Sequence, residues 1–166
     1  MFRRVDLPDG VSGKLLLHSM PGRFETLERV WHQLMSEAVC AIVCLNERYE
    51  IHQKSSKYAE ALDTGTVPCS VVHFEIREGG VPEDRDAFWT LAHDIANRLQ
   101  LAESVLIHCA GGVGRTAMLA VSVLLALGEE RSDAESVVSR AGSTVETMPQ
   151  IEMLSWCESR VSLNGK

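Results

Sequence analysis

The sequence predicts an α/β domain, a central and mostly parallel sheet of four to five strands flanked by helices. Three observations lead there. Short β-rich runs alternate with segments of helical period, the pattern of βα units feeding a parallel sheet. Val39–Leu45 is an unbroken apolar run, as expected of a strand covered on both faces. Gly114–Leu127 reads as a helix that is apolar nearly all round, which places it at the centre of the domain.

Element by element, an Asp9-Gly10 turn separates Phe2–Leu7 from Val11–His18 and predicts a hairpin. After Gly22, the spacing of Phe24, Leu27, Val30, Trp31 and Leu34 predicts a helix. Beyond the Val39–Leu45 strand, a weaker helical pattern covers about Lys54–Leu62 and ends near Asp63 and Gly65. Ser70–Ile76 reads as the next strand, and REGGVPEDRD (residues 77–86) breaks the pattern with two glycines and a proline. A helix follows over about Asp84–Leu101, with Phe88, Leu91, Ala92, Ile95 and Leu99 on one face. Ser104–His108 is a short buried strand. Ser132-Asp-Ala-Glu135 has the form of a capping box opening a helix to about Ala141. Met148–Val161 completes a set of C-terminal helices that covers one face of the sheet.

Composition sets the outer limits. The 166 residues suit one domain over residues 1–166, and a chain of that size buries roughly 70% of its unfolded surface without staples. Apolar residues at 45% and charged residues at 23% exclude a disordered chain. The longest apolar stretch, Ala117–Leu127, is far short of the roughly 20 residues that a membrane span needs. The opening MFRRVDLPDG has no apolar h-region, so no secretory leader is expected, and the cytoplasm is the expected location. A net charge of −7 argues against nucleic acid and anionic membrane as partners, since both call for a basic footprint. It leaves room for a local pocket that binds one phosphate. A monomer is expected. Of the five cysteines, Cys40 and Cys44 form a C-x3-C pair with no second pair nearby. Buried free thiols in a reducing compartment, with no metal and no cofactor, are therefore expected.

The chemistry is concentrated in His108-Cys-Ala-Gly-Gly-Val-Gly-Arg-Thr116. A bare C-x5-R is cheap, expected by chance about 0.4 times in a chain of this composition. Two set glycines and a hydroxyl after the arginine reduce that to roughly one in several thousand. The small residues Ala110, Gly111, Gly112, Val113 and Gly114 can curl their backbone N–H groups toward one anion. The helix N-terminus that follows favours the same anion. Arg115 adds a planar fork for two phosphate oxygens. Cys109, facing that positive field, is set up as a thiolate nucleophile able to form a phosphocysteine. Thr116 can place a hydroxyl near the sulfur when that intermediate is hydrolysed.

HCAGGVGRT resembles the HC-x5-R-[ST] signature of the protein tyrosine phosphatase superfamily, and the chain length is that of a dual-specificity phosphatase. Ser19-Met-Pro-Gly22, Ile76-Arg-Glu-Gly-Gly-Val-Pro82 and Gln150 are similar to segments of the cyclin-dependent-kinase-associated phosphatases. The resemblance implies a dual-specificity-phosphatase-like fold. It implies hydrolysis of phosphotyrosine, with phosphoserine and phosphothreonine as further candidates, on a phosphorylated protein or peptide. His108 would then orient the loop, and Gln150 would position the hydrolytic water or else lie on a helix surface. The family protonates its leaving group with an aspartate roughly thirty positions before the cysteine. Here the matching residue is Glu78, which lies 109 − 78 = 31 residues upstream. Asp84 is the alternative acid, and Asp86 falls in the same segment.

Other readings stay open on the residues alone. A phosphate-binding pseudophosphatase would keep the cradle without the chemistry, although an intact Cys109, Arg115 and Thr116 argue against it. A phosphatase of a small non-protein phosphoester would use the same loop, but the loop interior has no lysine for a polyphosphorylated headgroup. His93-Asp94 resembles a metal-binding HD pair, yet both residues fall on the polar face of their helix. Glu47 and Glu50 are either exposed loop charge or a carboxylate that holds the Arg115 guanidinium from below.

Overall fold

The computed structural model describes residues 1–164. Strands β1 (Arg3–Val5), β2 (Lys14–His18), β3 (Val39–Cys44), β4 (Ser70–His73) and β5 (Ser104–His108) form one sheet in the order β1-β2-β5-β3-β4. β1 runs antiparallel to β2, and the other three pairings are parallel. The expected α/β architecture is therefore present, with β5 as the central strand. Every residue of β5 is buried, because helices cover both faces of the sheet.

The helices are α1 (Leu27–Ser36), α2 (Arg48–Lys54), α3 (Ser56–Thr64), α4 (Arg85–Gln100), α5 (Gly114–Ala126), α6 (Arg131–Arg140) and α7 (Met148–Asn164). Of these, α5 is buried along nearly its whole length and packs against α4, α6 and α7. On that face Leu15, Leu17, Val105 and Ile107 of the sheet meet Phe88, Leu119, Val123 and Leu154 in one core. The opposite face carries a smaller cluster around Leu16, Val30, Leu34, Ile42 and Leu106. Sequential β5 and α5 thus bracket their connecting loop between two rigid, fully packed elements.

Four expectations need correction. Phe24 lies ahead of α1 and is exposed, so the apolar stripe of α1 starts at Leu27. The helix expected over Lys54–Leu62 is α3 and starts at Ser56, and a further, unexpected helix, α2, precedes it, with Ser55 at φ −155° and ψ 79° marking the break. Only Glu50 and Ile51 are buried in α2, too few to set up an apolar period. Strand β4 stops at His73 rather than Ile76. The capping box at Ser132 is absent. Ser132 falls inside α6, Glu130 occupies the N-cap position without a side-chain cap bond, and Arg131 Nε takes Glu135 Oε1 at 3.1 Å.

Candidate active site

The loop between β5 and α5 has its carbonyls turned into the scaffold. Met20 N–H donates to the Ala110 carbonyl at 3.3 Å, and Ala117 N–H to the Val113 carbonyl at 2.8 Å. The Gly112 carbonyl accepts from Arg3 Nη2 and from Ser143 Oγ, both at 2.6 Å. Among the described residues, the amides from Ala110 to Arg115 have no carbonyl or side-chain acceptor. Val113, the N-cap residue of α5, supplies no side-chain cap. Loop amides left free at a helix N-terminus form an anion-binding nest. Gly112 stands at φ +71°, and a Cβ there would collide with the His18 carbonyl and come within 2.6 Å of Arg3 Nη2. Glycine is required at that position on both counts.

Arg115, in the first turn of α5, is buried and held from α2 and from the segment that follows β4. Its Nη1 donates to Glu50 Oε2 at 2.8 Å and to the Ile76 carbonyl at 2.9 Å, while Nη2 donates to Glu50 Oε1 at 2.9 Å. Guanidinium has five N–H groups, so the Nε–H and the second Nη2–H are left, side by side, for an anion. Glu50 is buried and has its acceptor capacity filled, since Asn46 Nδ2 reaches Oε2 at 2.8 Å and Lys54 Nζ reaches Oε1 at 2.9 Å. Burial alone would raise the Glu50 carboxyl, but the bonds from Arg115, Asn46 and Lys54 prevail and bring it down to about 2. Arg115 responds in kind: burial opposes its charge, yet the bonds to Glu50 raise its pKa.

The segment that carries Glu78 is a turn closed by Gly80 N–H to the Arg77 carbonyl at 2.9 Å, with Gly79 at φ +70°. It is pinned to the start of α7. Thr147 Oγ1 donates to the Gly79 carbonyl at 3.0 Å and Gln150 Nε2 to the Gly80 carbonyl at 3.3 Å. Glu78 itself is 70% exposed, and its two carboxylate oxygens lie 3.3 and 3.2 Å from Lys54 Nζ. Asp84, the alternative, is committed elsewhere: it is the N-cap of α4, and its side chain accepts from Ala87 N–H at 2.9 Å. Asp86 faces Arg160 at 3.1 Å.

Behind the loop, Tyr58 and His108 are fully buried, and Tyr58 Oη lies 2.9 Å from His108 Nε2. Burial brings His108 down to about 3 and pushes the Tyr58 phenol well above its ordinary value, so both are neutral at pH 7. His108 Nδ1 faces the Cys109 carbonyl at 3.4 Å and must donate to it, leaving Nε2 to accept from Tyr58. The Thr116 hydroxyl is buried with no partner in the protein. Burial raises the Cys44 thiol to about 12 and the Cys69 thiol to about 11, and pushes those of Cys40 and Cys157 up as well. All five cysteines are free.

A pH dependence of stability follows. Because His108 binds its proton more weakly folded than unfolded, its contribution is complete above about pH 6.5 and is lost as pH falls toward about 3. Glu50 has the same sign: its contribution is present above about 4.5 and is lost as pH falls through about 2. Melting temperature should therefore drop on acidification from pH 6.5 to 4.5, where His108 contributes a slope of at most about 1.4 kcal/mol per pH unit. His108→Gln should reduce that slope, leaving the share of His18, which burial also lowers. A slope indifferent to His108→Gln contradicts this assignment.

The structure thus brings Cys109, the loop amides, Arg115, Thr116, His108 and Gln150 together, with Glu78 at the rim. Gln150 is fully buried against the loop, not on a helix surface; its Oε1 accepts from Glu146 N–H and lies 3.0 Å from where a Cβ on Gly114 would sit. Of the two carboxylates left open, Glu50 is the one under Arg115, while Glu47 occupies the N-cap position of α2. His93 packs edge-on against Trp89, and Asp94 is exposed. Among the described residues, no group of three His, Cys, Asp or Glu side chains could hold a metal ion. No helix among them is long and apolar enough to cross a membrane. Sequence reasoning missed Arg3, Lys54, Tyr58, Ser143 and Thr147, none of which stands in a recognisable spacing from Cys109.

Residues 18–129 match the sequence model of a family described as "Polymorphic toxin system, DSP-PTPase phosphatase". The chain belongs to this DSP-PTPase family. The family match contains Glu50, Lys54, Glu78, Cys109 and Arg115 and stops short of α6 and α7, so the Ser143, Thr147 and Gln150 contacts lie outside it. The chain is 31% identical over 86 residues to cyclin-dependent kinase inhibitor 3 of Rattus norvegicus, an alignment covering 49% of this chain and 40% of the rat protein. It thus spans less than half the length of that relative. Among solved structures, it is similar to kinase associated phosphatase carrying a catalytic-site cysteine-to-serine substitution, with a TM-score of 0.82 at 20% identity over 98% of this chain and 96% of the other. A mutant form of Tk-PTP aligns at a TM-score of 0.72 with 28% identity, covering 96% of this chain and 97% of its own.

Proposed function

We propose that the protein hydrolyses phosphomonoesters of proteins, phosphotyrosine first, through a phosphocysteine on Cys109 and without a metal ion. One observation supports this above the rest: a buried carboxylate, Glu50, holds one edge of Arg115 and leaves a parallel pair of N–H groups beside the free loop amides. In this reading Ala110, Gly111, Gly112, Val113, Gly114 and Arg115 bind the phosphoryl oxygens, and the Cys109 thiolate attacks phosphorus as the P–O bond to the leaving group breaks. Glu78 gives its proton to the leaving oxygen. Water then attacks the phosphocysteine and returns a proton to the Glu78 carboxylate, the S–P bond breaks, and the Thr116 hydroxyl donates a hydrogen bond to the departing thiolate. Gln150, Tyr58 and His108 orient the surrounding backbone. Similarity to kinase associated phosphatase supports a protein substrate. We assign the activity to a monomer in a reducing, cytoplasmic compartment.

The choice of acid is testable by leaving group. Glu78→Gln should slow phosphotyrosine peptides by about 10²–10⁴-fold and matter much less for activated aryl phosphates, whose leaving groups depart unaided. The alkaline fall in its kcat/KM profile should flatten. Asp84→Asn should lack that dependence, because Asp84 serves as a helix cap. If Asp84→Asn produces the leaving-group dependence and Glu78→Gln does not, the acid is Asp84. If neither variant does and the wild type turns over slowly, the pseudophosphatase reading replaces this one.

A further inference from the structure

The last residue of α2 joins two parts of the site that lie on different elements. Lys54 is four residues beyond Glu50 on the same helical face and is only 21% exposed. Its ammonium is 2.9 Å from Glu50 Oε1 and within 3.3 Å of both Glu78 oxygens. Glu50 in turn grips Arg115. The chain breaks from helical geometry at Ser55, whose Oγ donates to the Pro21 carbonyl at 2.8 Å, so the position of Lys54 is fixed by its own backbone as well.

We propose that Lys54 is a positioning residue for the acid turn, a clasp that registers the Glu78 carboxylate against the phosphate-binding arginine. This rests on the reading of Glu78 as the general acid. The two halves of the clasp differ in strength. Toward Glu50 the bond is sheltered, and Lys54 is held whether or not the turn is docked. Toward Glu78 the partner is 70% exposed, and an exposed pair is weak, worth about five-fold in an equilibrium at most. A contact of that size holds the turn near Arg115 while Glu78 is ionised, and is given up when Glu78 takes a proton from solvent and turns to the ester oxygen. The pins at Gly79 and Gly80 fix the base of the turn on α7, so Lys54 acts on its tip alone.

The experiment is a double-mutant cycle on the full chain, reading the ratio of kcat/KM for a phosphotyrosine peptide to that for an activated aryl phosphate. Lys54→Met should lower this ratio by about five-fold. Lys54→Arg, which retains the charge and reach, should restore most of it. In the Glu78→Gln background, Lys54→Met should lower the ratio no further. Inhibition by inorganic phosphate should stay within about two-fold of wild type, because Arg115 keeps both bonds to Glu50. Three results overturn the proposal: a ratio unmoved by Lys54→Met while Glu78→Gln lowers it, an equal loss in both backgrounds, or a loss of phosphate inhibition that matches the loss of turnover. If Glu78→Gln itself leaves the ratio unchanged, the acid assignment fails, and the role of Lys54 fails with it.

Discussion

Cys109→Ser is expected to abolish turnover while the variant still binds inorganic phosphate and tungstate. The substitution exchanges a thiol for a hydroxyl that holds its proton far more tightly, so the nucleophile is lost. The rest of the cradle does not depend on the sulfur. Gly112 remains pinned by Arg3 and Ser143, and Arg115 remains pinned by Glu50. Affinity should thus survive where rate does not, the mark of a group needed in the reaction and not for ground-state binding. A serine variant that keeps more than about a few per cent of wild-type activity on an aryl phosphate contradicts covalent catalysis through Cys109.

Arg115→Lys should cost about 10²–10³-fold in kcat/KM despite conserving the charge. Arg115 engages Glu50 through two nitrogens and the Ile76 carbonyl through one, and it presents its remaining edge to the anion. One ammonium cannot do both. Either it pairs with Glu50 and leaves the phosphoryl oxygens, or it turns to the phosphate and strands a buried carboxylate. The second course also weakens the fold, since a buried charge that loses its partner is costly, about 3–5 kcal/mol where the pair is removed outright. Steady-state kinetics alongside thermal melts will read both effects. A lysine variant of near-normal kcat/KM would show that guanidinium geometry is unimportant here.

What the sequence makes legible depends on the range of the interactions. Strands β3 and β5 and helices α4 and α5 are legible because burial on both faces or on one stripe leaves an apolar pattern within a few residues. The phosphate loop is legible because its chemistry is local: small residues, a nucleophile and an arginine on one strand–turn–helix. Helix α2 is not, since it is short and its most consequential buried residue is a glutamate. Nothing in residues 47–54 distinguishes Glu50 from Glu47 until Arg115 arrives from 65 positions away. Arg3 and Ser143 meet at the Gly112 carbonyl from 109 and 31 positions away, contacts that leave no trace in spacing. The choice between Glu78 and Asp84 is posed by the sequence, and the hydrogen bond from Ala87 to Asp84 is what weighs on it.

Every step of the proposed reaction depends on a covalent bond between phosphorus and the Cys109 sulfur. The direct measurement is rapid quenching of the wild-type enzyme during turnover of a phosphotyrosine peptide, followed by peptide mapping under conditions that preserve the S–P bond. Phosphate should be found on the peptide containing Cys109, at a higher level when water attack is slowed, and should be absent from Cys109→Ser. Turnover with no phosphate on Cys109 at any quench time, or with phosphate on another residue, would contradict it.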